Sequence, residues 1–118
     1  MQIGADIIGF GTTVDISDAG NIILVGSDDY DNGTGVGNGR ARAYKLICGN
    51  WMQIGEDIYN LSANDNRTGL DLSLSGDGTT IAVSVPEEIS GTTNGKVYIM
   101  QLSSNDLVSE IFMVLQYL

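Results

Sequence analysis

The 118-residue chain contains no histidine. That excludes a Ser-His-Asp triad, a Cys-His nucleophile pair and any imidazole metal ligand. It has one cysteine, Cys48, so no disulfide can close within the chain and the fold is not a stapled mini-protein. Positive charge is scarce: 5 Lys and Arg stand against 15 Asp and Glu, for a formal net charge of -10. A surface of that sign repels phosphate backbones, which argues against nucleic-acid partners. No apolar run approaches the roughly 20 residues that span a bilayer. The longest, residues 111–118, is broken by Gln116. The opening Met1-Gln2-Ile3-Gly4-Ala5-Asp6 lacks the basic region and apolar core of a signal peptide, and none is expected.

What the chain does have is glycine, 16 residues of it, and a hydrophobic content of 42%. That apolar content excludes a disordered acidic tail. So many glycines would cost a helical bundle too much backbone entropy; they point to tight turns between short strands. The length suits one domain.

The sequence also repeats itself. Met1-Gln2-Ile3-Gly4-Ala5-Asp6-Ile7 recurs as Met52-Gln53-Ile54-Gly55-Glu56-Asp57-Ile58, with one difference, Ala5 against Glu56. Residues 11–26 align with 69–84 by pattern: a glycine, alternating apolars, a serine, a glycine turn and a β-rich run. Residues 38–46 align with 94–102. The blocks keep their order, at offsets of 51, 58 and 56. A period in that range belongs to solenoids and propellers.

Each block reads as a strand. Val14 and Ile16 alternate with polar residues, as do Leu70, Leu72 and Leu74 in the second copy, which is the period of a half-buried strand. Asp18-Ala19-Gly20 and Gly76-Asp77-Gly78 are turn material, so the next strand returns as a hairpin. Ile22-Ile23-Leu24-Val25 and Ile81-Ala82-Val83 suit an inner strand covered on both faces. Asn38-Gly39 and Asn94-Gly95 lead into a third strand, and Trp51-Met52-Gln53-Ile54-Gly55 is a fourth. One repeat is then a four-stranded antiparallel meander, the unit of a propeller blade.

These residues resemble a known family. Phe10-Gly11, the alternating apolars, the glycine turn and Leu24-Val25-Gly26-Ser27 resemble the FG-GAP repeat of integrin-α-type β-propellers. Ala82-Val83-Ser84-Val85-Pro86 is similar to the "GAP" end of that motif, and Trp51-x-Gln53-Ile54-Gly55-x-Asp57-Ile58 to the linking strand of FG-GAP-like repeats in large secreted or surface proteins of microbes, algae and their viruses. The resemblance covers residues 1 to about 102. It implies an all-β chain of antiparallel four-stranded blades, about two of them, incomplete as a monomer because propellers need about 4 to 8 blades. Residues 1–10 then hold a strand like the fourth of a blade, 11–58 the first blade, 59–102 the second, and 103–118 a divergent apolar tail.

The tail departs from the pattern. Leu107, Ile111, Val114 or Leu115, and Leu118 fit one helix face, while residues 111–115 also suit a buried strand, which the repeat calls for there. Since the second blade lacks a recognisable fourth strand, residues 1–7 of one chain could fill that place in another by β-strand addition. The plainer alternative is that the tail fills it. Calcium-binding FG-GAP blades carry a long acidic loop between the first two strands. Here that loop is one turn, too short to supply the six or so oxygens calcium takes.

The most acidic segment is Asp28-Asp29-Tyr30-Asp31-Asn32-Gly33, in which Asp29 and Asp31 could ligate a cation. It lacks a terminal bidentate glutamate and reads more simply as a solvated loop. Glu87-Glu88 is its counterpart and no better as a ligand set. Arg40 and Arg42 share a strand face, with Lys45 on the same strand and Lys96 equivalent to Arg40. They suit an anionic ligand, an acidic neighbour or, most simply, the charged guard of an edge strand. Asn32, Asn60 and Asn66 open N-glycosylation sequons. Trp51 and Tyr44 are expected to pack at a blade interface, and Cys48 is an unpaired small residue. No catalytic, cofactor or metal residue is assigned, since nothing raises a carboxyl pKa toward acid–base work.

The expected role is a non-catalytic structural or interaction module, assembling with itself or with a larger surface or virion complex. The alternative is a carbohydrate-binding or adhesion module with a glycan or protein ligand at the blade-end loops. The resemblance implies an extracellular, cell-surface or virion setting.

Overall fold

The computed structural model describes residues 1–9, 11–27, 39–59, 68, 71–85, 88–89, 92–93, 96–102 and 111–117. Among the described residues there is no helix; the regular structure is all β. β1 (Thr13–Ile16), β2 (Ile22–Ser27), β3 (Arg40–Ile47) and β4 (Asn50–Ile58) form one antiparallel sheet in chain order. β5 (Leu72–Leu74) and β6 (Thr80–Val85) begin the second. After a separate short hairpin of β7 (Glu88–Ile89) and β8 (Thr92–Thr93), that sheet continues with β9 (Lys96–Leu102), and β10 (Ile111–Tyr117) lies along its outer edge. Each repeat is thus a meander, and the tail is a strand where helix and strand were both open.

The turns explain the matching pattern of the two copies. Ser17 N–H donates to Ile22 O and Gly20 N–H to Ser17 O; Ser75 and Gly78 repeat both bonds with Thr80 O and Ser75 O, all at 2.9 Å. The serine hydroxyls also accept, from Ile22 N–H at 3.1 Å and Thr80 N–H at 3.0 Å. A serine just past the end of the first strand therefore satisfies backbone donors that the four-residue loop, residues 18–21 or 76–79, leaves open. β3 and β4 are joined by Cys48-Gly49, at φ 50° and 81°, the two positive angles of a type I′ hairpin.

Residues 1–7, for which the sequence predicts a strand, form none within this chain. A strand exists only against a partner, and the places beside β3 and β9 are held by β4 and β10.

The sheets stack front to back. Leu24, Ala41, Ala43, Ile54 and Ile58 of the first sheet form its forward face, which packs on the rear face of the second: Leu74, Ile81, Val83, Val85, Tyr98, Met100 and Leu102. The first strands of the two sheets, each at one end of its sheet, meet at the junction, β1 beside β5. There the Asp15 carboxylate accepts from Leu74 N–H at 2.7 Å, and Asp18 N–H donates to Gly76 O at 2.8 Å. By the offset of the repeat, Leu24 corresponds to Ala82, and Ala43 to Ile99. Ala82 and Ile99 pair on the opposite side of the second sheet, half-buried. The face that one copy covers, the other leaves open.

Candidate functional site

Two features stand out: a charged cluster on the rear of the first sheet, and the two outward faces of the stack.

The cluster is built by a bulge. Ala41 pairs with Ile58 and Ala43 with Ile54, so the single residue Arg42 faces three, Gly55, Glu56 and Asp57. Gly55 sits at φ 73°, which turns the strand so that Asp57 reaches back over β3. Arg42 donates from Nε to Asp57 Oδ1 at 2.6 Å and from Nη2 to Oδ2 at 2.8 Å, a bidentate pair. Arg40 adds a contact at 3.6 Å. The Gln53 amide donates to Gly55 O at 3.3 Å and to Asp57 Oδ1 at 2.8 Å, closing the loop from below. Arg42 Nη1 reaches the Tyr44 hydroxyl at 3.0 Å, with its guanidinium 5.9 Å from the ring centre.

Arg40 and Arg42 therefore share a face, as alternation predicts, and their counter-charge is an acidic neighbour. The reading of the two arginines as guards of an edge strand is corrected: β3 is an inner strand, flanked by β2 and β4. The fork of Arg42 holds the Asp57 carboxyl below its ordinary value of 3.8, with help from Gln53 and against the effect of burial. The same pair raises Arg42. A depressed carboxyl pKa contributes stability that is complete above the unfolded value and is lost as pH falls through the folded one. With Asp57 a quarter exposed, Asp57→Asn is expected to cost about 1–2 kcal/mol at pH 7. It should also flatten the loss of stability below about pH 4. Chemical denaturation at pH 7 and pH 3 checks both; an unchanged pH dependence overturns the assignment.

Trp51, expected at a blade interface, lies instead against the N-terminal segment of its own chain. Its indole N–H donates to Ile3 O at 3.0 Å, and its ring lies against Gly4. Cys48 is exposed and free.

The outward faces differ in kind. On the rear of the first sheet Val14 and Ile16 are 69% and 53% exposed. Their equivalents Leu72 and Leu74 pack into the core, Leu74 at 7%. On the forward side of the second sheet a shallow depression is lined by Asp71, Leu72, Ser73, Ala82, Ser84 and Val97.

The acidic segment at residues 28–33, Glu87 and the sequons at Asn32, Asn60 and Asn66 lie outside the described residues. Among the described residues no three His, Cys, Asp or Glu side chains gather as a metal-binding group. No helix there is long and apolar enough to cross a membrane. The sequence displayed Gln53, Gly55 and Asp57 as a repeated string, but their mutual bonding depends on a bulge that only the register reveals. Comparison of the chain with family models, curated proteins and solved structures gives no match.

Proposed function

We propose that the chain is a non-catalytic structural module of FG-GAP-like propeller repeats, which continues its own stack of sheets by assembling with further copies of itself or within a larger surface or virion complex. One observation carries this: Val14 and Ile16 lie open at positions whose equivalents, Leu72 and Leu74, are covered by a neighbouring sheet. A repeat buries its faces only against other repeats, and the forward face of the second sheet, with Ala82, Val97 and Ile99 half-buried, is the same kind of surface that covers Leu72 and Leu74.

Solution mass tests the proposal. A ring of about six to eight blades needs three or four copies of a two-repeat chain. The expected result is such an oligomer, and the double variant Val14→Asp/Ile16→Asp is expected to reduce it to monomer while keeping its β spectrum. A wild-type chain that stays monomeric at high concentration overturns self-assembly. Glycan-array binding by that monomer would transfer the case to an adhesion module.

A further inference from the structure

Residues 1–7 reproduce the bonded geometry of β4 as well as its letters. The Gln2 amide donates to Gly4 O at 3.1 Å and to Asp6 Oδ1 at 2.7 Å. The Gln53 amide does the same with Gly55 O and Asp57 Oδ1. Gly4 stands at φ 75°, Gly55 at 73°. In β4 this cradle exists to hold a guanidinium, since Asp57 takes both arms of Arg42. In residues 1–7 the cradle is assembled, Asp6 is exposed, and the one partner of its carboxylate among the described residues is Gln2.

The segment is also held in place. Trp51 bonds Ile3 O, and a Cβ at Gly4 would lie 2.7 Å from the indole ring. Among the described residues, residues 1–9 nevertheless pair with no strand. A backbone fixed in position with its edge unpaired is a template for strand addition.

The second repeat says what the partner must carry. Tyr98 stands where Arg42 stands, and β10, Ile-Phe-Met-Val-Leu-Gln-Tyr, has neither glycine nor aspartate. Within this chain the cradle accompanies an arginine on the third strand, and both are missing together. Exchange onto β9 of a second copy, considered from the sequence, would thus meet β10 in the place and tyrosine at the key position.

We propose that residues 1–7 are a preformed receptor for an extended strand bearing an arginine opposite Asp6, of the Arg-x-Arg type found in β3. Gln2 occupies one side of the Asp6 carboxylate and leaves the rest for a guanidinium fork. Lysine, a single-point charge, fits that geometry less well. The proposal rests on the repeat reading above but not on self-assembly.

A labelled peptide with the sequence of residues 39–47, Gly-Arg-Ala-Arg-Ala-Tyr-Lys-Leu-Ile, is the probe, followed by fluorescence anisotropy on the full chain. Binding is expected, weakened at least tenfold in Asp6→Asn, tenfold by replacing both peptide arginines with lysine, and abolished by glutamine at both. Asp6 is exposed, so the variant folds; matching circular dichroism confirms it. Absence of binding, equal binding by Asp6→Asn, or equal binding of the lysine peptide overturns the proposal. Equal binding by Asp6→Asn would mean that the peptide merely replaces β3. A monomeric chain that binds the peptide sinks self-assembly alone; an oligomer that does not bind it sinks this proposal alone.

Discussion

Leu24→Ala is expected to lower stability by about 3 kcal/mol. Leu24 is fully buried and lies at the centre of the forward face, with Ala43 and Ile54 beside it and the rear face of the second sheet opposite. Its neighbours Ala41 and Ala43 are too small to fill the space, so much of the cavity persists. A domain of this size holds about 5–15 kcal/mol in total, so the loss is a large share. Urea unfolding checks it, followed by Trp51, the single tryptophan, which reports the first sheet. Val14→Ala is the contrast: at 69% exposure it should move the monomer by less than about 0.5 kcal/mol. A Leu24→Ala loss below about 1 kcal/mol would mean that the sheets do not depend on each other's burial.

The second large effect separates backbone strain from contact. Gly20 and Gly78 occupy equivalent turns at φ 74° and 75°. An alanine at either adopts a left-handed conformation that costs about 1 kcal/mol. At Gly20 the added Cβ meets nothing within 4 Å. At Gly78 it meets Ile22, 2.6 Å from Cδ1 and 3.2 Å from Cβ. The tip of Ile22 can rotate away, but its Cβ is fixed by the backbone of β2. Gly78→Ala is therefore expected to cost about 2–3 kcal/mol against about 1 for Gly20→Ala. The difference is contact between the sheets, so it should vanish when Ile22 is also glycine, which removes that Cβ, as a double-mutant cycle would show. Equal costs for the two glycines would place the whole effect in the turn.

Much of the architecture was legible in the letters. Period-two alternation around Val14 and Leu72, serine before each glycine turn, and Asn-Gly ahead of the third strand located strands that are present. They did so because each signal is local: a turn or an alternation is decided by residues a few positions apart. What was not legible depends on residues far apart in the chain. Val14 and Leu72 look alike as text; one is exposed and the other packed because only the second has a sheet in front of it. Arg40 and Arg42 read as edge guards although a meander makes the third strand an inner one, because nothing local shows that a bulge in the fourth strand carries Asp57 back to them. The cradle of Gln2, Gly4 and Asp6 looked like an unpaired strand, since a string gives no sign that a glycine at positive φ lets a glutamine bond to an aspartate four residues on.

The front-to-back stacking limits the symmetry that any assembly can have. A two-fold dimer joins like to like: it would set Val14 and Ile16 against their own copies and leave both forward faces bare. Only a heterologous contact, forward face to rear face, joins the two unlike surfaces, and such contacts propagate until a rotation closes them. An assembly of this chain thus has a direction, and a chain altered on one face alone becomes a terminator. Mixed with wild type, the Val14→Asp/Ile16→Asp variant can still offer its forward face to a neighbour. It would cap growing assemblies at one end, so a minority of it should shorten them out of proportion to its amount.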